Sequence, residues 1–510
     1  DYFSAVKQAM LNAEKTIMMI GWDFDTRIEF EPDEKRLDGP NQLGEFLSWL
    51  TQEREHMQLY MLKWNVGAMQ SILRGMVPIG VRPMRFNPNF HFHLDSTHPV
   101  GAAHHSKIIV IDDQIAFCGG IDMTAGRWDT CDHLDDQPCR TLPGETEMPK
   151  PWHDATIAAS GDIACALGDV ARERWLRATG EKLPPPQCDN DPVWPDLDLT
   201  WSNVPVALAR TFPGFEDFEE VREIEALYLE AIARAKDTLY IESQYLASSR
   251  LVHAMAERLQ EEDGPEIVLV LPRNAEGWLR QKAMDGARVR MLEHLWAHDT
   301  YNRFAAYYPV TTSGEPIYVH AKILILDDDV IRVGSSNLNN RSMGFDTETD
   351  LAVEAAQCED PAAIRASIAD LRAGLISEHL GVSEEKLAEA VSASRGSLIG
   401  AITMLKEDGP TPPAPFDGLE VLRPAQEYKN RHASIMLALD AATEAFVQAE
   451  ETAETAAHED HGAQPDPSVV VVLRREFLHR IDKGGDVVGV HFRGNPVPQV
   501  EHVPRPVAVA

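Results

Sequence analysis

Between Ser4 and Ala13 the apolar positions Val6, Met10 and Leu11 recur at helical spacing, and after Thr16 the pattern gives way to an unbroken apolar run, Ile17-Met18-Met19-Ile20. Such a change of period predicts a helix running into a buried strand. The same succession returns far downstream, where Phe218 to Ala235 carries Val221, Ile224, Leu227 and Ile232 and is followed by Thr238-Leu239-Tyr240-Ile241. The two stretches align as Ala13-Glu14-Lys15-Thr16-Ile17 against Ala235-Lys236-Asp237-Thr238-Leu239. Each leads through a further strand, His56 to Leu62 and Glu266 to Leu271, and a helical stretch into one closely similar segment. The first is His104-His105-Ser106-Lys107-Ile108-Ile109-Val110-Ile111-Asp112-Asp113, and the second is Val319-His320-Ala321-Lys322-Ile323-Leu324-Ile325-Leu326-Asp327-Asp328. The chain reads as a tandem duplication of an α/β unit.

Leu183 to Pro195, with Pro184-Pro185-Pro186, Pro192 and Pro195, has the composition of a linker. The predicted organisation is therefore one unit over 1–180, a Pro-rich linker over 181–200, a second unit over 201–400 and a tail over 401–510. In the tail, Pro412, Pro413 and Pro415 interrupt the pattern, and Ala441 to Gln464 is rich in Ala, Glu and Thr with a thin apolar stripe. That stretch reads as solvated helix or disorder. A length of 510 residues fits two large units plus extras, and 44% apolar with 25% charged residues fits a protein that buries a sizeable core.

Charge narrows the partners. Against 47 basic residues stand 81 acidic ones, a formal net charge of −34. Non-specific nucleic-acid binding draws its affinity from Lys and Arg neutralising phosphates, so it is disfavoured, and docking to strongly anionic membranes is weakened. A local basic pocket can still hold one phosphate. No run approaches the roughly 18 to 20 apolar residues of a spanning helix, Ser468 to Leu473 being far too short. A monomer is expected, cytoplasmic and able to work at a membrane surface. The six cysteines lack the paired spacing of a zinc site, and Cys131 and Cys139 with His133 between them read as free thiols or one disulfide. No structural metal and no cofactor are expected.

Each repeat contains His-x-Lys-x-x-x-x-Asp: His105, Lys107 and Asp112, then His320, Lys322 and Asp327. On a strand His and Lys two residues apart share a face, while the Asp falls on the other. Phosphoryl chemistry asks for that pair, because an imidazole can attack or move a proton while Lys balances charge on the equatorial oxygens. These six residues form the candidate catalytic set, the two aspartates reading as structural by parity. Seven residues after Asp112 comes Gly119-Gly120-Ile121-Asp122, and seven after Asp327 comes Gly334-Ser335-Ser336-Asn337.

On these motifs the chain resembles the phospholipase D superfamily, and most closely the branch whose first repeat continues as Gly126-Arg127-Trp128-Asp129 and Pro151-Trp152-His153-Asp154. The resemblance covers roughly residues 1–400. It implies a pseudo-symmetric pair of α/β/α domains with mixed sheets and one active site at their interface. It further implies phosphate binding by Lys107, Lys322, Ser335 and Asn337, with Gly120 and Asp122 in the matching places of the first repeat. Asp122 departs from a phosphate-binding role, since an ionised carboxylate cannot donate to an anion. Asp129 and Glu348 fit the task of orienting His105 and His320 respectively.

His91, His93, His98 and His104 crowd the approach to the first motif and read as exposed loop histidines. Trp22 and Asp23, and the matching Glu242-Ser243-Gln244-Tyr245, lie at strand ends beside the cleft or in the core. The implied reaction is hydrolysis of a phospholipid phosphodiester, or its transfer to an alcohol, through a phosphohistidine, with His105 as nucleophile and His320 as general acid. A phosphatidyl transferase of the cardiolipin-synthase kind, a nuclease and a catalytically silent scaffold are the alternatives.

Overall fold

The change of period at Thr16 marks where α1 (Tyr2–Leu11) hands over to β1 (Thr16–Gly21). Alternate residues of β1 serve two cores: Ile17 and Met19 pack with Val6 and Met10 of the helix, whereas Met18 and Ile20 pack on the opposite side of the sheet. A strand buried on both faces needs an unbroken apolar run, which is why the alternation expected of a half-exposed strand is missing. The computed structural model describes residues 2–65, 87–188, 190–274, 278–407 and 507–509. The Ala/Glu/Thr-rich stretch 441–464 and most of the expected tail lie outside the described residues.

The first half continues through α2 (Leu43–Glu53), β2 (Gln58–Trp64), β3 (Phe90–Asp95), β4 (Ile108–Ile111), β5 (Ile115–Gly119), β6 (Trp152–His153), β7 (Thr156–Ser160) and α3 (Asp162–Thr179). Its sheet has the order β3-β2-β1-β4-β5-β7, with β1, β2 and β3 parallel and β4, β5 and β7 antiparallel. The second half begins with β8 (Ala207–Phe212), β9 (Val221–Arg222), α4 (Glu223–Arg234), β10 (Thr238–Glu242) and β11 (Leu246–Ala247). There follow α5 (Ser249–Leu259), β12 (Glu266–Val270), α6 (Trp278–His298), β13 (Phe304–Pro309), β14 (Tyr318–Val319), β15 (Ile323–Leu326), β16 (Val330–Gly334), β17 (Leu338–Asn339) and β18 (Glu348–Glu354). It closes with helices α7 (Pro361–Leu380), α8 (Glu384–Ala393) and α9 (Leu398–Glu407), and a last strand, β19 (Val507–Val509), adds to β13. Within its sheet the run β13-β12-β10-β15-β16-β18 repeats the order of the first. The duplication seen in sequence is thus a duplication of mixed-sheet topology.

The halves are sewn together. Phe212 and Leu351 of the second half pack into the core formed by Met18, Ile20, Ala164 and Leu167 of the first, and β6 pairs in parallel with β14. The Pro-rich linker forms no helix or strand among its described residues, yet it is anchored: Leu183 is buried, and the Asp196 N–H donates to Gln8 Oε1 at 2.6 Å. Helices α8 and α9 contribute Leu387, Leu398 and Ile402 to a core on the second sheet, so ordered structure runs beyond the expected limit at residue 400.

Asp112 and Asp327 do not belong to the catalytic set in which the motif placed them. Each stands in the left-handed region, with φ 57° and 50°, at the end of β4 or β15. The Asp112 carboxylate accepts the backbone N–H groups of Glu14, Lys15 and Thr16 at 2.6, 2.8 and 2.6 Å, and Asp327 accepts those of Lys236, Asp237 and Thr238 at 2.8, 2.9 and 2.8 Å. In both halves the aspartate ties the helix-to-strand turn to the neighbouring strand, away from the histidine. Losing an acceptor for three backbone donors costs about 2–4 kcal/mol. Asp112→Ala should therefore lower the thermal midpoint while leaving kcat per folded molecule near that of the parent, which calorimetry beside an active-site titration measures. Loss of kcat at an unchanged midpoint would return Asp112 to the catalytic set.

Candidate active site

His105 and Lys107 lie in the extended segment just before β4, and His320 and Lys322 occupy the same place before β15. Each strand runs beside the central β1 or β10, so the two motifs arrive at equivalent sheet positions. Lys107 and Lys322 are buried, and each ammonium donates to the carbonyl of its own motif histidine, Lys107 at 2.7 Å. Lys107 also faces Asp122 Oδ2 at 3.3 Å, and the other oxygen of Asp122 accepts the backbone N–H groups of Trp22 and Asp23 at 3.0 and 3.4 Å. Asp122 is thereby a fixed counter-ion for Lys107, which replaces the phosphate-binding role that motif position suggested.

The orienting carboxylates come from the opposite half. Nδ1 of His105 donates to Glu348 Oε2 at 3.0 Å, and Nδ1 of His320 donates to Asp154 Oδ2 at 2.7 Å. The backbone follows the same exchange: His105 N–H reaches Thr347 O at 2.9 Å and His320 N–H reaches His153 O at 2.8 Å, each acceptor being the residue before the carboxylate. With Nδ1 committed, Nε2 is the ring nitrogen left to react. The expected pairings, Asp129 with His105 and Glu348 with His320, are therefore corrected. Asp129 instead accepts from His133 Nδ1 at 3.1 Å and from Trp152 N at 2.8 Å.

The Gly-Gly and Gly-Ser motifs make room and hold acids. A Cβ on Gly120 would stand 2.0 Å from Asp154 Oδ1, and one on Gly334 would stand 2.0 Å from Asp350 Oδ1. Ser335 Oγ donates to Glu348 Oε2 at 2.5 Å and Ser342 Oγ to Glu348 Oε1 at 2.6 Å, so Ser335 serves the orienting acid. Beneath them Arg332, fully buried, donates to Asp350 Oδ2 at 2.9 Å and to the Lys322 carbonyl at 3.0 Å. Asn337 is buried, and among the described residues its Oδ1 has no hydrogen-bond partner.

Electrostatics distinguish the two histidines. Burial first, and then the ammonium groups of Lys107 and Lys322, hold His105 well below the usual imidazole range. His320 is also held well below it, by burial and Lys322, with Asp154 pulling the other way. Burial pushes the Glu348 carboxyl up to about 8, against the hydroxyls of Ser335 and Ser342 and the charge of Lys107. Burial would raise Asp154 too, but His320 and Lys322 overcome it and keep that carboxyl below the ordinary carboxylate range. Lys322 falls to about 7 through burial and the charge of Lys107, opposed by Asp154 and Glu348. One imidazole is thus backed by a firmly ionised acid and the other by one that ionises near neutrality.

Sequence reasoning missed Asp154 as a site residue, although the tetrapeptide Pro151-Trp152-His153-Asp154 carried the signal. It also misread the upstream histidines: His91 and His93 lie in β3, and His104 is buried, its Nδ1 on Thr347 Oγ1 at 2.5 Å and its Nε2 3.0 Å from Asp95. Burial and Arg174 push His104 down to about 4. Asp23 is buried in an ion pair with Lys63 at 2.5 Å, and Glu242 is buried against His153 and His379 at 2.7 and 2.9 Å. The six cysteines are all free thiols.

Among the described residues, two groups could hold a metal ion: His133, His153 and Glu378, and His153, Glu242 and His379. Each imidazole nitrogen concerned already stands 2.7–3.0 Å from a carboxylate oxygen. Ligands about 2.0–2.1 Å from a tetrahedral zinc stand roughly 3.4 Å apart. The observed spacing is that of hydrogen-bonded pairs.

A family model described as Phospholipase D matches residues 299–396, a stretch that includes His320, Lys322, Ser335, Asn337 and Glu348. Phospholipase D1 of Schizosaccharomyces pombe is 25% identical, over 76% of this chain and 35% of that protein. Phospholipase D A of Dictyostelium discoideum is 23% identical, over 69% and 32%, and phospholipase D alpha 1 of Nicotiana tabacum 25% identical, over 74% and 63%. The chain therefore spans less than two thirds of the length of these relatives. Among solved structures, the phosphatidylserine synthase of Haemophilus influenzae Rd KW20 aligns with a TM-score of 0.47 at 14% identity, covering 78% of this chain and 93% of that one. By the family match over its second motif and by these curated relatives, the chain is similar to phospholipase D proteins.

Proposed function

We propose that the chain is a phospholipase D-type phosphodiesterase that cleaves a phospholipid between its phosphate and head group through a phosphohistidine. The observation that carries this reading is the pair of motif histidines, each with Nδ1 on a carboxylate of the other half, above two buried lysines. In the first step Nε2 of His105 attacks phosphorus, the bond from phosphorus to the head-group oxygen breaks, and that oxygen takes a proton from Nε2 of His320. Lys107, Lys322 and Asn337 receive the non-bridging oxygens. In the second step water or an alcohol gives its proton to His320 and displaces His105. The assignment follows the acids: burial and Lys322 depress His320, and ionised Asp154 opposes them in favour of its imidazolium, while Glu348, pushed up to about 8, gives His105 less such support and leaves it the neutral nucleophile. A net charge of −34 favours a lipid over a nucleic acid as substrate.

A covalent phosphohistidine cannot fully distinguish water from a small alcohol, so ethanol or butanol added to a lipid assay should divert product to the phosphatidyl-alcohol. Hydrolysis without that product across a wide alcohol range points to direct attack by water. The two histidines separate by leaving group: with the phosphatidyl ester of p-nitrophenol, which needs little protonation, His320→Ala should still become labelled and His105→Ala should not. Quenched-flow trapping and peptide mapping read this out, and a label on His320 reverses the roles.

Acidity sets a further expectation. His105 reacts as the free base, so kcat/KM rises as pH climbs through its depressed value and is fully expressed before neutrality. His320 donates as the imidazolium and Lys322 binds as the ammonium, so kcat/KM falls as pH rises first through the depressed value of His320 and again past about 7. A profile peaking on the acid side of neutrality is expected, with the second fall, past about 7, lost in Lys322→Arg; its persistence assigns it to another group.

A further inference from the structure

The strand that leads into Asp154 rests on a buried file of side chains that the proposed reaction does not use. From Asp129, the file passes to His133, whose Nε2 donates to Glu378 Oε1 at 3.0 Å. The same oxygen accepts from His153 Nδ1 at 2.7 Å, and His153 Nε2 donates to Glu242 Oε2 at 2.7 Å. Glu242 Oε1 in turn accepts from His379 Nε2 at 2.9 Å and from the Tyr240 hydroxyl at 2.5 Å. Glu242 ends β10 and Glu378 and His379 end α7, so the second half closes on a residue of the first.

An ionised carboxylate only accepts hydrogen bonds, so an imidazole with a carboxylate on each nitrogen satisfies both only when it carries both protons. His153 meets that condition between Glu242 and Glu378, and His133 meets it between Asp129 and Glu378. Burial opposes the charge, yet Glu242 and Glu378 hold His153 well above the usual imidazole range. The groups facing His153 are Glu242 from β10, with Tyr240 behind it, Glu378 and His379 from α7, and His133, its ring centre 5.9 Å away. Its neighbour Asp154 is committed to His320.

The file grips β6 twice. Asp129 Oδ2 takes the Trp152 N–H at 2.8 Å, and the side chain of His153 is pinned at both nitrogens. The His153 carbonyl then accepts the N–H groups of His320 and Ala321 at 2.8 and 3.1 Å. We infer that His153, doubly protonated between Glu242 and Glu378, is a positioning residue for the general-acid half of the site, fixing β6 so that Asp154 holds His320 in register. This rests on the assignment of His320 as general acid made above.

Histidine C2–H exchange followed by mass spectrometry reads the protonation of His153 in the full chain without reference to activity. The imidazolium should persist above pH 7, and Glu378→Gln should lower the midpoint by about 1–3 units, the effect of removing one adjacent opposite charge. A midpoint at or below 6.5 in the parent protein overturns the inference whatever the enzyme does. In turnover, Glu378→Gln should lower kcat at least about ten-fold on dihexanoyl-phosphatidylcholine, part of the roughly 10²–10⁴ that general-acid catalysis contributes. It should leave KM, and kcat on the phosphatidyl ester of p-nitrophenol, within about two-fold of the parent. As the working form is the imidazolium, the variant should also lose kcat on the choline lipid as pH rises through the lowered midpoint. Equal losses on both substrates, or none, overturn the positioning role. A parent protein that turns over neither substrate instead removes the phosphodiesterase reading, and leaves the exchange result standing as the test of His153.

Discussion

Everything in the site depends on an exchange of carboxylates across the duplication: Glu348 of the second half holds His105 of the first, and Asp154 of the first holds His320 of the second. Neither imidazole has a set ring orientation without the other half. The surrounding features follow from making that exchange possible. Gly120 lacks a side chain because Asp154 lies where one would be, and Ser335 and Ser342 supply the hydroxyls that an inserted, buried Glu348 requires. Burying ionised groups costs several kcal/mol each, and partners must offset that desolvation. Asp122 does so for Lys107, and Asp350 does so for Arg332.

The duplication is close to symmetric in topology and departs from symmetry in charge. Both sheets share one strand order, and both motif aspartates cap the same turn with three backbone hydrogen bonds. The acids differ. Asp154 sits between His320 and Lys322 and stays ionised, whereas Glu348 is buried deeply enough to ionise only near pH 8. A reaction that asks one imidazole to attack and the other to donate a proton needs such an inequality, and here it resides in the residues behind the rings.

Much of the fold was legible because its signals are local. The period changes at Thr16 and Thr238 located β1 and β10, and the repeated motif located β4 and β15. Strand parity separated Asp112 and Asp327 from the histidine face, and their three-fold grip on the backbone is the reason for their place in the motif. The pairing of acids with histidines was not legible, because Glu348 lies 243 residues from His105 and sequence proximity favoured Asp129. The upstream histidines misled for a related reason: His104 looks like a polar loop residue until Asp95 and Thr347 are brought against it. Nor could spacing reveal that Glu242, Glu378 and His379 converge on His153, since each ends an element whose own pattern is ordinary.

The 243 residues between His105 and Glu348 also set a clock. At about 5–20 residues per second, a ribosome takes roughly 10–50 s to deliver Glu348 after His105 has been made. Once α3 has been made the first sheet has its own strands and that helix, but until β18 follows it lacks Leu351 to complete the core beneath them. The nascent N-terminal half thus waits with an apolar face uncovered and His105 without its carboxylate. The carboxylate behind His105 is in place only once β18 has joined the sheet, and the first half must stay out of aggregates until its second arrives.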